Sequence, residues 1–321
     1  MKQTISTLKR SLAVLAVFLA ATGLAQAEYL YVANVGDNTI EKFSSSGADL
    51  GVFASTGMNA PIGLAFDNSG NLYVANVGDN TIEKFSSSGA DLGVFASTGL
   101  NCPQALAFDS HGNLYVANFD NTIKKFSSSG ADLGVFTSAN LNGPVALAFD
   151  NSGNFYVANY SGTHTIEKFS STGTDLGVFA STGLNIPVSL AFDSSGNLYA
   201  VNFDANSMLS TIEKFSASGT DLGVFVSAGL MSMPYGLAFD SNGNLYVADQ
   251  ASAIFMFSAS GTYLSVFAST GLSQPTGIAF GTGGPVSAVP EPSVFGLWGL
   301  GTLLAGGYAW RKKQATNKLK T

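Results

Sequence analysis

Side chains able to do chemistry are few in this chain. It has two histidines, His111 and His164, and one cysteine, Cys102. A single cysteine excludes an internal disulfide, and Asn101-Cys102-Pro103 brings no neighbouring base that would make a reactive thiolate. No Ser-His-Asp order, paired-cysteine metal site or phosphate-cradling glycine loop is present. What recurs is an amide. Asn34, Asn76, Asn118, Asn159 and Asn202 each end a Leu-Tyr-Val-Ala-Asn phrase or a close variant, and Asp249 takes the sixth place. Five amides and one carboxylate, with Gln104, Tyr160, Phe203 and Tyr235 nearby in the pattern, would suit a mouth for a sugar or another small polar ligand. The alternative, that the asparagines only tie down turns, stays open.

These residues recur because the chain is one unit written six times. The tyrosine of the phrase stands at Tyr31, Tyr73, Tyr115, Tyr156, Tyr199 and Tyr246, in steps of 42, 42, 41, 43 and 47. Residues Leu30 to Gly57 are identical to Leu72 to Gly99. Each copy holds four short apolar runs, in the second copy Leu72–Ala75, Thr81–Phe85, Leu92–Phe95 and Gln104–Phe108. Gly, Asn, Asp and Ser fill the gaps, which is turn chemistry. Composition agrees, with 37 glycines and only 11% charged residues.

Four strands per period of about 42 predict an all-β, six-bladed propeller of four-stranded antiparallel blades. The first copy starts on the second strand of a blade, and the last ends on Thr276-Gly277-Ile278-Ala279-Phe280, a first strand. One blade should therefore join three N-terminal strands to the final C-terminal strand. The Pro-x-Gly-Leu-Ala-Phe-Asp run is read as the innermost strand. The Asp67-Asn68-Ser69-Gly70-Asn71 turns then share one nearly invariant face, taken as structural. They match a calcium loop only superficially. The opposite face carries the variation, including Ile62, Gln104, Val145, Val188, Tyr235 and Thr276 at the start of the innermost strands.

The ends differ from this core. Residues 1–27 read as a signal peptide, with Lys2, Lys9 and Arg10, an apolar run, and a small-x-small site ending at Ala27. The propeller is expected over 28–281, a linker over 282–288, and a sorting tail over 289–321. That tail has Pro290-Glu291-Pro292, an apolar helix over 294–310, and Arg311-Lys312-Lys313. This order resembles the PEP-CTERM sorting signal, and the resemblance implies an exosortase-type processing enzyme as partner and a cell-surface or secreted product. Membrane contact would be only through the C-terminal helix before processing. Between residues 28 and 281 stand six lysines, no arginine and twenty acids. Such a surface repels phosphate backbones, so nucleic acid is excluded as a partner, and anionic lipid with it.

The phrases Pro61-Ile62-Gly63-Leu64-Ala65-Phe66-Asp67, Gly70–Asn76 and Ile82-Glu83-Lys84-Phe85 resemble the NHL, YVTN and gluconolactonase-like propeller repeats. That resemblance implies the fold but leaves the activity open. Gluconolactonase-like members hold a divalent ion near the axis with acids and amides, and here only Asp249 and the asparagine ring match. Lyase-like members need a catalytic histidine with acidic partners. His164 lies on the variable face, in a loop that can point outward, and His111 sits in an invariant-type turn. Near-identical blades also suit catalysis poorly, because catalysis needs different residues converging on one point. The expectation is a non-catalytic binding or scaffold module without cofactor, associated with extracellular polysaccharide or a surface protein. The alternative is a lactonase-like or lyase-like enzyme with a divalent ion on the axis.

Overall fold

The structure is a computed structural model that describes residues 28–203, 210–227, 229 and 231–281. The expected signal peptide with Ala27, the linker 282–288, and the tail with Pro290, Glu291, Pro292 and its helix lie outside the described residues. Among the described residues no helix is long and apolar enough to cross a membrane.

The described chain forms 24 strands in six four-stranded antiparallel sheets. Strands β1 (Tyr29–Asn34), β2 (Thr39–Phe43) and β3 (Asp49–Ala54) pair with β24 (Pro275–Gly281), in the order β24-β1-β2-β3. In this sheet Tyr29 lies opposite Gly281, and Leu30 opposite Phe280. The predicted closure of the ring by both ends of the chain is therefore present. The next blade runs β4 (Pro61–Phe66), β5 (Leu72–Asn76), β6 (Thr81–Phe85) and β7 (Asp91–Ala96), and the remaining four repeat that order.

Burial follows the pattern of each strand. Every residue of β5 is buried, as a strand packed on both faces requires. In β6 the isoleucine, glutamate and phenylalanine are buried. In the outer strand β7 Ala96 is buried, Gly93 and Phe95 are half-buried, and the rest is exposed. Tight turns make this spacing possible. Gly70 takes φ 77° in the turn between β4 and β5, a backbone state costly for other residues. Gly130, at φ 85°, closes the seam between two blades, where an added Cβ would stand 2.7 Å from the Phe95 carbonyl oxygen.

The blades are locked by a repeated aromatic contact. Tyr73 meets Phe95 of its own outer strand and Phe108 of the next blade's innermost strand, both at 4.8 Å between centroids and both edge-on. The same triad occurs at Tyr31, Tyr115, Tyr156, Tyr199 and Tyr246. The last of these uses Phe280 of β24, at 4.9 Å, so the sixth seam is sealed by the final strand. The Tyr73 hydroxyl donates to Asp67 Oδ2 at 3.1 Å, and four other tyrosines bind the matching aspartates. Burial first, and that carboxylate second, push the Tyr73 phenol well above its usual range. Tyr31 is the exception. Its hydroxyl is buried without a partner, because β24 runs on into Gly281 where the other blades have an aspartate.

Phe280→Ala should cost about 3–5 kcal/mol, since it removes a buried ring and opens the closing seam. Leu50→Ala, on the exposed outer strand, should stay within about 0.5 kcal/mol. Urea denaturation followed by tyrosine fluorescence distinguishes the two, and equal losses would show that the seam is not what holds the ring.

Candidate functional site

The asparagine ring ends each second strand, and its side chains are committed to the backbone. Asn76 Nδ2 donates to the Gly57 carbonyl at 2.7 Å, and its Oδ1 accepts the Asn59 N–H at 3.2 Å. Gly57 and Asn59 belong to the loop that carries the chain from the previous blade. Asn34, Asn118, Asn159 and Asn202 each make the same pair of bonds. Asp249 has no amide to donate and instead accepts three N–H groups, from Ser232, Met233 and Ala251, at 2.6–3.1 Å. The ring thus clamps every blade-to-blade loop onto the strand it must precede. All six residues are buried.

Those bonds bear on metal binding. A divalent ion needs free carboxylate or carbonyl oxygens, and each ring oxygen bonded above already accepts from backbone. Among the described residues no group of three or more His, Cys, Asp or Glu is placed to hold an ion. An ion at the ring would therefore have to share each of these oxygens with a backbone N–H.

The remaining expected site residues stand at the start of the innermost strands and just beyond the ring. Gln104 is fully buried, and its Nε2 donates to the Cys102 carbonyl at 3.1 Å while its Oε1 has no partner. Thr276 takes the matching position in β24 and reaches Pro61 O of the neighbouring blade at 3.2 Å. Tyr160 and Phe119 lie 6.4 Å apart, with Phe203, Tyr235, Val145 and Val188 in the same apolar cluster. Burial, then proximity to Tyr160, drives the Tyr235 phenol far above its usual range. The structure thus places Tyr160, Phe203 and Tyr235 against one apolar cluster, with Tyr160 close to Tyr235.

Two residues at this end escaped the sequence reading. Ser189 replaces the Gly or Ala of the other innermost strands, and Gln250 replaces the Val, Phe or Tyr that otherwise follows the ring residue. Ser189 is 0% exposed and Gln250 4%, and Ser189 Oγ and both amide atoms of Gln250 are without partners. A polar residue breaking an apolar column of the repeat was the available signal. His164 sits at φ 51° in the loop after Asn159, with its Nδ1 buried and unpartnered.

The opposite face is built as expected from self-capped turns. Asp67 Oδ1 accepts the N–H groups of Ser69 and Asn71, and Oδ2 accepts Asn71 Nδ2. A cleft of about 570 Å³ nevertheless opens there between the third and fourth blades, lined by His111, Asp109, Lys125 and Asp150. Burial alone would raise the Asp109 carboxyl. Hydrogen bonds from Asn113 and the His111 N–H, with Lys125 nearby, outweigh it and hold the group below the usual carboxylate range.

A second set of acids is buried at the seams. Glu41 and Glu83, one in each of the first two repeats, are pushed up to about 7, first by burial and then by Asp49 and Asp91 beside them.

No protein-family model and no curated protein sequence matches the chain. Similar solved structures are found. A chain in the crystal structure of a nidogen/laminin complex is 20% identical with a TM-score of 0.70, covering 82% of this chain and 100% of that one. A gluconolactonase from Xanthomonas campestris is 18% identical with a TM-score of 0.56, covering 67% and 77%. Regucalcin from Agrobacterium tumefaciens, described as a calcium-binding protein, is 19% identical with a TM-score of 0.53, covering 67% and 76%. At these identities the likeness is one of fold. The expectation that the chain is not an enzyme is corrected by it, because the same fold is found in a gluconolactonase and so does not speak against catalysis.

Two outcomes follow. Asn118→Ala should cost about 1–3 kcal/mol by leaving the Gly99 carbonyl and the Asn101 N–H without their partner, read as a shift in the urea midpoint. For Glu41 and Glu83 the folded-state pKa lies above the unfolded one. Their contribution is therefore unaffected below about pH 4.5 and is lost as pH rises from there to about 7. Glu83→Gln should raise the thermal midpoint at pH 8 and leave it unchanged at pH 4, as differential scanning calorimetry in chelating buffer would show.

Proposed function

We propose that the protein is an exported propeller that takes a small polyhydroxylated ring compound at the variable end of its axis and hydrolyses it as a lactonase-like enzyme, with a sugar lactone as the substrate class. The observation that carries this reading is the set of buried polar atoms left without partners there: Gln104 Oε1, Ser189 Oγ and the amide of Gln250. Buried polar groups are nearly always hydrogen-bonded, and a ligand rich in hydroxyls would supply the missing partners. Gln250 Nε2 would donate to the ring or carbonyl oxygen of a lactone. Gln104 Oε1 would accept from a ligand hydroxyl, and Ser189 Oγ can do either. Tyr160, Phe203 and Tyr235 give the apolar face on which a sugar ring packs. The fold shared with a gluconolactonase supports the reaction class. No step is routed through a metal, since every oxygen of the ring already accepts a backbone N–H.

Export rests on the two ends of the sequence. Removal of residues 1–27, then processing near Pro290-Glu291-Pro292 by an exosortase-type enzyme, would leave the propeller at the cell surface or secreted, among extracellular polysaccharide and surface proteins. The ring supports this reading, because its six sheets are complete between Tyr29 and Gly281.

The purified chain should hydrolyse glucono-δ-lactone faster than buffer alone in a pH-stat assay. Gln250→Leu should lower kcat/KM by about tenfold or more, the worth of a hydrogen bond to a buried group. Absence of both hydrolysis and a saturation-transfer signal from lactone or gluconate would sink the proposal.

A further inference from the structure

The six lysines of the propeller divide five to one. Lys42, Lys84, Lys125, Lys168 and Lys214 lie over seam tyrosines, with ammonium-to-ring distances of 4.8–5.3 Å. Lys124 stands elsewhere, at a strand position where other repeats have Glu41, Glu83, Glu167 and Glu213. It is buried, and its ammonium binds both oxygens of Asp132 at 2.8 Å. Gly99 of the preceding loop lies against it. The repeat therefore accepts an ammonium group at this place in the seam.

The next blade carries the same place without the lysine. Its strands include β13 (Phe155–Asn159), β14 (Ile166–Phe169) and β15 (Asp175–Ala180). Glu167 takes the position of Lys124, Asp175 that of Asp132, and Asn140 that of Gly99. Asn140 Nδ2 donates to Asp175 Oδ2 at 2.5 Å, so Asp175 needs no cation. Glu167 is left incomplete. Its Oε1 accepts the Thr165 hydroxyl at 2.6 Å, while Oε2 is buried without a partner in a side chain only 3% exposed. In the first three repeats the matching threonine binds an aspartate of its own loop instead. The loop Tyr160-Ser161-Gly162-Thr163-His164 has no aspartate, which turns Thr165 onto the glutamate. A pocket of about 420 Å³ opens here, lined by Glu167, Thr165, Thr163, Asn140 and Asn142 with Leu141 and Val178. None of its lining residues is basic.

We propose that this pocket binds the primary ammonium group of a ligand, with Glu167 Oε2 as its acceptor. An ammonium carries three donors. One would meet Oε2, leaving two for the threonine hydroxyls and asparagine carbonyl oxygens around it. Leu141 and Val178 would take the apolar part of the ligand. A lysine side chain of a peptide and a free amino sugar share this chemistry. The site lies at a seam and is independent of the lactone reading.

The test is titration of the full chain with butylammonium chloride, followed by amide NMR shifts of Thr163 and Thr165. Saturable shifts are expected in the native chain, and Glu167→Gln should weaken them by about tenfold or more. Glu167→Lys reproduces the charge placement of Lys124, so it should fold with an undiminished thermal midpoint and lose the response. Shifts that never saturate, or that persist in both variants, overturn the proposal, as does saturation by calcium chloride with none by butylammonium. Parallel titration with Nα-acetyl-lysine methylamide and with glucosamine identifies the source, the tighter of the two naming it.

Discussion

Each seam of the ring is held by a tyrosine lying edge-on between two phenylalanines that belong to different blades. Such contacts are worth about 0.5–1.5 kcal/mol beyond the area they bury, and here they occur at all six seams. The geometry ties together three strands at once: the second and outer strands of one blade and the innermost strand of the next. A lysine ammonium lies over the tyrosine in five of the seams. Everything else in the molecule is arranged around that lock. The turns are short because the tyrosine must meet the aspartate six residues before it. The asparagine ring fixes the loops at the other end, so each blade is pinned to its neighbour above and below the aromatic contact.

Much of this was legible in the sequence because a repeat states its own structure six times. The strand order, the closure by β24 and the self-capped turns all followed from where Tyr31 and Phe280 fall within the period. The roles of individual polar residues were less legible. An asparagine repeated at the same place can face a ligand or a carbonyl, and the spelling is identical. The hydrogen bonds of Asn76 to Gly57 and Asn59 decide that these amides serve the loops. Ser189 and Gln250 went unnoticed for the opposite reason. Each is a single departure in an apolar column, and only the lack of any partner inside the fold makes it conspicuous. Glu167 belongs with them, since its incomplete carboxylate arises from an aspartate missing in the loop before its strand, where Thr163 stands four residues upstream.

The two proposed sites illustrate how a repetitive ring acquires function. Identical blades supply a frame in which every polar group already has a partner. Function then enters where one copy departs from the frame and leaves an atom uncompensated. The cost of such an atom is about 1–3 kcal/mol, which the six seams can tolerate and a ligand can return. Charge acts in the same direction. Twenty acids against six lysines give a surface that draws cationic groups and repels polyanions.

The pairing of Tyr29 with Gly281 also sets the order in which the molecule must assemble. These residues are 252 apart in the chain, and no other strand pairing joins residues so distant. Five blades consist of consecutive strands and can form as soon as each has been synthesised. The sixth cannot, and until β24 arrives β1 presents a bare edge and Tyr246 lacks the Phe280 half of its clasp. Loop-closure entropy makes that final sealing slow relative to the hairpins. An unsealed ring with a free, apolar strand edge is the species most prone to join another copy of itself, so the speed of that last step governs how cleanly the protein matures.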